Sequence, residues 1–99
     1  MTEHLSSIPI EALTALCGRY HVKKLSLFGS ILGQHFTDSS DIDVLVEFHE
    51  GHVPGFAFIT MQDELEELLH RRVDLHTPNS LSKYFREEVM QHARVLYAE

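Results

Sequence analysis

The chain has 99 residues, 43% of them hydrophobic, which suits a single domain built around one compact core. Its formal net charge of −7 argues against a general nucleic-acid binder, because such proteins present a basic surface to the phosphates. The lone cysteine excludes an internal disulfide, and no apolar run reaches the roughly 20 residues that span a bilayer. We therefore expect one domain over residues 1–99, in the cytoplasm and away from membranes.

The first third of the chain predicts a helix followed by a strand. Apolar residues recur at helical spacing between Ser7 and Tyr20, with Ser7 as the expected cap, Pro9 in the first turn and Gly18 as the stop. Alternation in residues 22–29 then predicts a strand that ends at Gly29. Residues 30–36 are compatible with a short helix or an irregular turn.

The rest of the chain predicts two more strands and two more helices. Residues 41–48 alternate like a strand, residues 58–69 follow helical spacing, and residues 71–77 form a third short strand. A last helix is expected after Asn79 or Ser80, with apolar residues facing inward at Leu81, Tyr84, Phe85 and Val89. The tail, residues 94–99, extends this helix or adds an edge strand. The predicted class is α/β (α+β), a small sheet flanked by helices.

Acidic residues mark the ends of the predicted strands. Asp41 and Asp43 are two residues apart on one strand, so their carboxylates point to the same side of the sheet. Asp74 lies on the next strand and reaches the same point if the two strands are neighbours. Converging carboxylates form a site for a hard cation, and phosphoryl-transfer enzymes use such a site with Mg²⁺ or Mn²⁺.

Gly29 and Ser30 supply features that suit an anion. A glycine at the end of a strand lets the backbone approach a ligand closely, and the serine hydroxyl adds a hydrogen-bond donor. The stretch from Gly29 to Asp43 thus combines an anion cradle with a cation holder. A nucleoside triphosphate bound to Mg²⁺ is a ligand that needs both.

These motifs resemble the polymerase-β-like nucleotidyltransferase superfamily. The shared pattern is Gly-Ser, ten residues, Asp-x-Asp at the start of an apolar strand, and a third Asp on a later strand. The short length, the run "SDIDVLVEF" and the tail "ARVLY" are more specifically similar to minimal nucleotidyltransferase (MNT) domains. The resemblance covers nearly the whole chain and implies the fold of that superfamily.

The resemblance also implies a function. Such domains are similar to the antitoxin of a two-gene module, whose adjacent gene encodes a HEPN-domain ribonuclease toxin. The implied activity is transfer of AMP from ATP to a tyrosine of the toxin, in a hetero-oligomer of the two proteins. Asp41, Asp43 and Asp74 would be catalytic and hold Mg²⁺, with Mn²⁺ as the alternative, while Gly29 and Ser30 would bind the nucleotide.

One departure from the family pattern leaves alternatives open. Many members carry an arginine three residues after the serine, where this chain has Gly33. The loss would weaken charge neutralisation at the triphosphate, which favours an antitoxin that neutralises its toxin by binding alone. Transfer to a small molecule is a third alternative, although such enzymes generally carry an additional substrate-binding domain.

Simpler interpretations of the individual residues also exist. Aspartates are common turn residues, Asp74 is compatible with a solvated strand position, and Gly29 with a tight turn. The histidines of the "HEGH" segment, His49 and His52, would suit zinc, but no cysteine accompanies them. The combined spacing favours the nucleotidyltransferase interpretation over each of these.

Overall fold

The structure, a computed structural model, describes residues 8–29, 41–52 and 54–99. These residues form three α-helices, four strands and one 3₁₀ turn. In chain order the elements are α1 (Ile10–Arg19), β1 (Val22–Phe28), β2 (Ile42–Phe48), α2 (Ala57–Leu69), β3 (Val73–His76), the 3₁₀ turn (Pro78–Ser80), α3 (Lys83–His92) and β4 (Arg94–Ala98). Within this part of the chain, no helix is both long and apolar enough to span a membrane.

The four strands form one mixed sheet in the order β3-β2-β1-β4. β1 pairs antiparallel with both β2 and β4, whereas β2 and β3 run parallel. Two parallel neighbours need a crossover connection, and α2 provides it. The order therefore brings the start of β2 beside the start of β3, where the aspartates lie.

Helix α2 also covers the outer edge of β3. The backbone N–H of Val73 donates a 2.9 Å hydrogen bond to Glu66 Oε2, and the N–H of Leu75 donates to Gln62 Oε1 at 3.4 Å. Both acceptors lie on α2. Backbone groups that an edge strand would otherwise present to solvent are thereby hydrogen-bonded within the chain.

The main core lies between the sheet and helices α1 and α2. Its members alternate along the strands and recur at helical spacing on the helices, as the two periodicities require. The fully buried residues of this core include Leu13, Leu16, Cys17, Leu25, Leu27, Val44, Val46, Met61 and Leu65.

A smaller apolar cluster covers the opposite face of the sheet. Phe28 and Leu45 of the sheet pack with Leu81 and with Val89 of α3. Leu45 is two residues after Asp43 on β2 and therefore lies on the same face of the sheet. The face is therefore apolar where α3 covers it and acidic at the strand ends, so β1 and β2 are buried on both sides.

The first helix differs from the prediction at both ends. It begins at Ile10, with Pro9 as the N-cap residue, and continues through Gly18 to Arg19. The prediction that the helix ends at Gly18 was wrong, because glycine is tolerated within the last helical turn. The helix ends at Arg19, and Tyr20 is its C-cap residue. The predicted cap, Ser7, lies outside the described residues.

The last helix also begins later than predicted. Asn79 and Ser80 belong to the 3₁₀ turn, and the Ser82 side chain caps α3 by accepting a hydrogen bond from the N–H of Phe85. Tyr84 was expected to face inward but is 85% exposed. Phe85 is also partly exposed. The tail is the edge strand β4, so the strand alternative is confirmed and the helical one is wrong.

Candidate cation site at the ends of three strands

The site is built on one row of residues that crosses three strands. Phe28, Asp43 and Asp74 are register partners on β1, β2 and β3. Directly paired residues point to the same side of a sheet, so the two aspartate side chains stand next to each other. The parallel register of β2 and β3 thus produces the convergence of Asp43 and Asp74.

A histidine completes the cluster. His76 is two residues after Asp74 on β3 and therefore lies on the same face. Its Nε2 atom is 3.9 Å from Asp43 Oδ1 and 4.0 Å from Asp74 Oδ2. One ligand atom from each of the three residues falls within 4.8 Å of the others. Two carboxylates and one imidazole are a donor set that binds divalent cations.

Crowding changes the ionisation of Asp43. Burial raises the pKa of its carboxyl group above the ordinary value for aspartate, and the neighbouring Asp74 and Asp41 charges raise the pKa further, while His76 lowers it. Its side chain is 28% exposed, whereas that of Asp74 is 62% exposed. The ionised form of Asp43 is therefore unfavourable at this position unless a positive charge lies close to it.

Gly29 leaves the space that the Asp43 carboxylate occupies. This residue directly follows β1 and has a φ of +79°, a conformation that L-residues rarely adopt. A Cβ atom built at this position would overlap Asp43 Oδ2. The glycine was predicted to allow a close approach to a ligand, and the structure shows it allowing a close approach to a carboxylate.

Aromatic packing against Phe28 positions the His76 ring. Phe28 is buried and meets the imidazole edge-on, with 5.4 Å between the ring centroids. Phe85 of α3 packs against Phe28 in the same way at 6.4 Å. Helix α3 therefore packs, through Phe85, against the Phe28 ring that contacts His76. The helix itself contributes no side chain to the cluster.

The predicted site residues fall into three groups. Asp43 and Asp74 are brought together as expected. Asp41 immediately precedes β2, is exposed and lies outside the three-residue cluster, but its charge acts on the pKa of Asp43. Ser30 lies outside the described residues, as does Gly33. His76 was not predicted, although the alternation in "VDLH" places it on the face of Asp74.

Comparison with known sequences identifies the family. The family described as "Polymerase beta, Nucleotidyltransferase" matches residues 11–99. The protein adenylyltransferase MntA of Thermococcus cleftensis is 33% identical over 90 residues, covering 90% of this chain and 89% of that protein. A relative from Methanocaldococcus jannaschii is 41% identical over 64 residues, which is 64% of each chain.

Comparison with solved structures agrees. A structure assigned to the minimal nucleotidyltransferases has a TM-score of 0.71 at 33% identity, over 85% of each chain. A toxin–antitoxin complex with AMP-PNP contains a chain with a TM-score of 0.72 at 22% identity, over 92% of this chain and 74% of that one. At the lower identity the likeness shows the fold alone. The chain belongs to the polymerase β nucleotidyltransferase family, and its fold is that of the minimal nucleotidyltransferases.

Proposed function

We propose that the protein is an antitoxin that transfers AMP from ATP to a tyrosine of a cognate HEPN-domain toxin. The observation that carries this proposal is the pairing of Asp43 and Asp74 across two parallel strands in a chain of this family. The relative from Thermococcus cleftensis, which this chain matches over nine-tenths of its length, is named a protein adenylyltransferase.

The residues of the site fit a divalent cation. The Asp43 carboxylate is partly buried beside a second negative charge, an arrangement that is unfavourable unless a positive charge is close. Asp43 and Asp74 would hold the ion, and Asp41 remains a proposed third carboxylate because it lies two residues before Asp43. When bound, Mg²⁺ would neutralise the charge on phosphate oxygens.

The chain's own residues have separate tasks in the transfer. An acceptor hydroxyl oxygen forms a bond to the α-phosphorus while the bond to the bridging oxygen breaks and pyrophosphate leaves. We assign Asp74 to receive the hydroxyl proton, because it is the more exposed carboxylate of the pair and an acceptor can approach it. Gly29 and Ser30 are proposed to bind the phosphates through backbone and hydroxyl donors.

A protein acceptor fits the size and charge of the chain. Apart from the cluster of Asp43, Asp74 and His76, the described residues form only a small sheet and three helices. The acceptor must therefore contribute much of the recognition surface. The net charge of −7 would attract a basic, RNA-cleaving partner. A structure that shares this fold is the complex of a tri-AMPylated Shewanella oneidensis HEPN toxin with an MNT antitoxin. We infer that residues 1–99 act as one domain, in a hetero-oligomer with the toxin in the cytoplasm.

The test is the intact mass of the partner. The protein would be mixed with Mg-ATP and the HEPN-domain product of the adjacent gene, and mass spectrometry would report added AMP units. Asp43→Asn should lower transfer by at least about 100-fold, since changing a group that supports a metal ligand already costs 10–100-fold. Asp63→Asn, an exposed change of the same type on α2, should leave transfer intact.

Three results would contradict the proposal. A stable complex without any gain in mass would show neutralisation by binding alone, the alternative that Gly33 favours. AMP transfer that is equal in the Asp43→Asn and Asp63→Asn variants would separate the activity from this site. Nucleotide consumption with a small molecule, and none with the toxin, would replace the protein acceptor.

A further inference from the structure

We propose that His76 is a nitrogen ligand of the cation held by Asp43 and Asp74, and that it makes the site prefer a first-row transition-metal dication over Mg²⁺. This inference rests on the proposed function, because it concerns the metal of the same site. It assigns a role to a side chain that the carboxylate pattern of the sequence left out.

The spacing of the three side chains supports a shared ion. The Nε2 atom of His76 is 3.9 Å from Asp43 Oδ1 and 4.0 Å from Asp74 Oδ2, which is too long for a hydrogen bond to either. Two ligands that are each about 2.1 Å from one ion lie between roughly 3 and 4.2 Å apart, depending on whether they are adjacent or opposite. The observed distances fall inside that range.

The imidazole is held in place by the fold. His76 lies on β3, one of the two paired strands that carry the aspartates, so the same backbone register fixes all three residues. Phe28 packs edge-on against its ring from β1. The His76 side chain is only 29% exposed. A histidine that is mostly buried and faces two carboxylates is already arranged as a ligand, and binding would require little reordering of the side chain.

The donor type determines the preference. Mg²⁺ selects oxygen ligands, whereas a neutral imidazole nitrogen suits transition metals. A site with two carboxylates alone would favour Mg²⁺ at cellular concentrations. Adding one nitrogen at the same cluster increases the affinity for a transition-metal ion more than for Mg²⁺. The side chain at position 76 therefore decides which ion occupies the site.

The experiment uses Mn²⁺ as the probe and omits nucleotide, so that no adenine nitrogen is present. Electron paramagnetic resonance of the full chain would measure free Mn²⁺ during a titration and give the dissociation constant. Pulsed measurements on the bound ion would detect a nearby ¹⁴N nucleus, and labelling the histidines with ¹⁵N would assign it. Competition with Mg²⁺ would give the affinity ratio of the two ions.

The variants separate ligation from other histidine effects. His76→Gln should abolish the nitrogen coupling and weaken Mn²⁺ binding by about tenfold, with a smaller effect on Mg²⁺. His92→Gln alters another histidine, exposed in the last turn of α3, and should behave like the unaltered protein. Circular dichroism would verify that both variants are folded.

Each remaining outcome overturns the inference. Bound Mn²⁺ without histidine coupling in the unaltered protein would show that the carboxylates act alone, and this measurement needs no variant. An unchanged ratio of Mn²⁺ to Mg²⁺ affinity in His76→Gln would remove the preference. If the protein still transfers AMP with Mg-ATP, either result rejects the role of His76 and leaves the proposed function standing.

Discussion

The backbone of Gly29 lies against the carboxylate of Asp43, so closely that a Cβ atom at position 29 would overlap Asp43 Oδ2. Gly29 directly follows β1 and Asp43 lies near the start of β2, and these two strands are antiparallel neighbours. The absence of a side chain at one position thus sets the place of a charged group at the other. This relationship yields a direct test of the site.

We expect Gly29→Ala to lower the free energy of unfolding by at least about 2 kcal/mol. The positive φ alone costs roughly 1–2 kcal/mol for a residue with a Cβ, and the overlap with Asp43 adds to it. Urea denaturation would measure the loss. Gly51→Ala is the matched control, because Gly51 has a φ of +82° and no atom near its Cβ position. Equal losses in the two variants would mean that Asp43 moves aside freely.

We expect Asp43→Asn to stabilise the metal-free protein at neutral pH while it removes cation binding. The pKa of Asp43 is raised by burial and by neighbouring negative charges, so ionisation costs free energy in the folded state. The folded state is therefore favoured by protonation of Asp43. This contribution to stability is present below the ordinary pKa of aspartate and is lost as the pH rises through the raised pKa of the folded protein. Thermal unfolding at pH 7 should show a higher midpoint for the variant. A midpoint at or below that of the unaltered protein would argue against this cost.

We expect Leu65→Ala to lower the free energy of unfolding by about 2–5 kcal/mol, since Leu65 is a residue of α2 that is completely buried in the main core. Ile59→Ala, on the same helix but 63% exposed, should cost far less. Chemical denaturation of both variants would compare them. Similar losses would show that α2 does not pack on the sheet through the face containing Leu65.

We expect the Cys17 thiol to react slowly in the folded protein. Burial raises its pKa from 9.0 to about 11, so at pH 8 the thiolate fraction is about 100-fold lower than in the unfolded chain. Alkylation followed by mass spectrometry, with and without urea, would measure the ratio. The same shift predicts that stability falls as the pH rises from about 9 to about 11, because the unfolded chain loses its proton first. Equal alkylation rates would contradict burial of the thiol.

The sequence was sufficient for the acidic centre of the site. Alternation places Asp43 on a defined face of its strand, and the order of elements makes β2 and β3 candidates for parallel pairing. The meeting of Asp43 with Asp74 followed from these two facts once the strands were neighbours. The same alternation places His76 on the face of Asp74, but a histidine on a strand does not by itself indicate a ligand.

Other features depended on choices between local signals. The segment from Asn79 to Ser82 contains three residues that can cap a helix, and Pro78 begins a 3₁₀ turn that uses the first two. Helix α3 therefore starts at the third. Helical spacing put Tyr84 and Phe85 on an inward stripe, but only tertiary packing decides how much of an apolar stripe is covered. Hydrophobic periodicity therefore determines neither the first residue of a helix nor the extent to which its apolar side chains are buried.

The hydrogen bonds from the N–H groups of Val73 and Leu75 to α2 have a consequence for self-association. An open edge strand is a template on which a second chain can add a strand and start aggregation. Here two amide donors that such a strand would need are already engaged by Glu66 and Gln62. The strand that carries Asp74 and His76 is thereby protected at this edge from pairing with a strand of a second molecule.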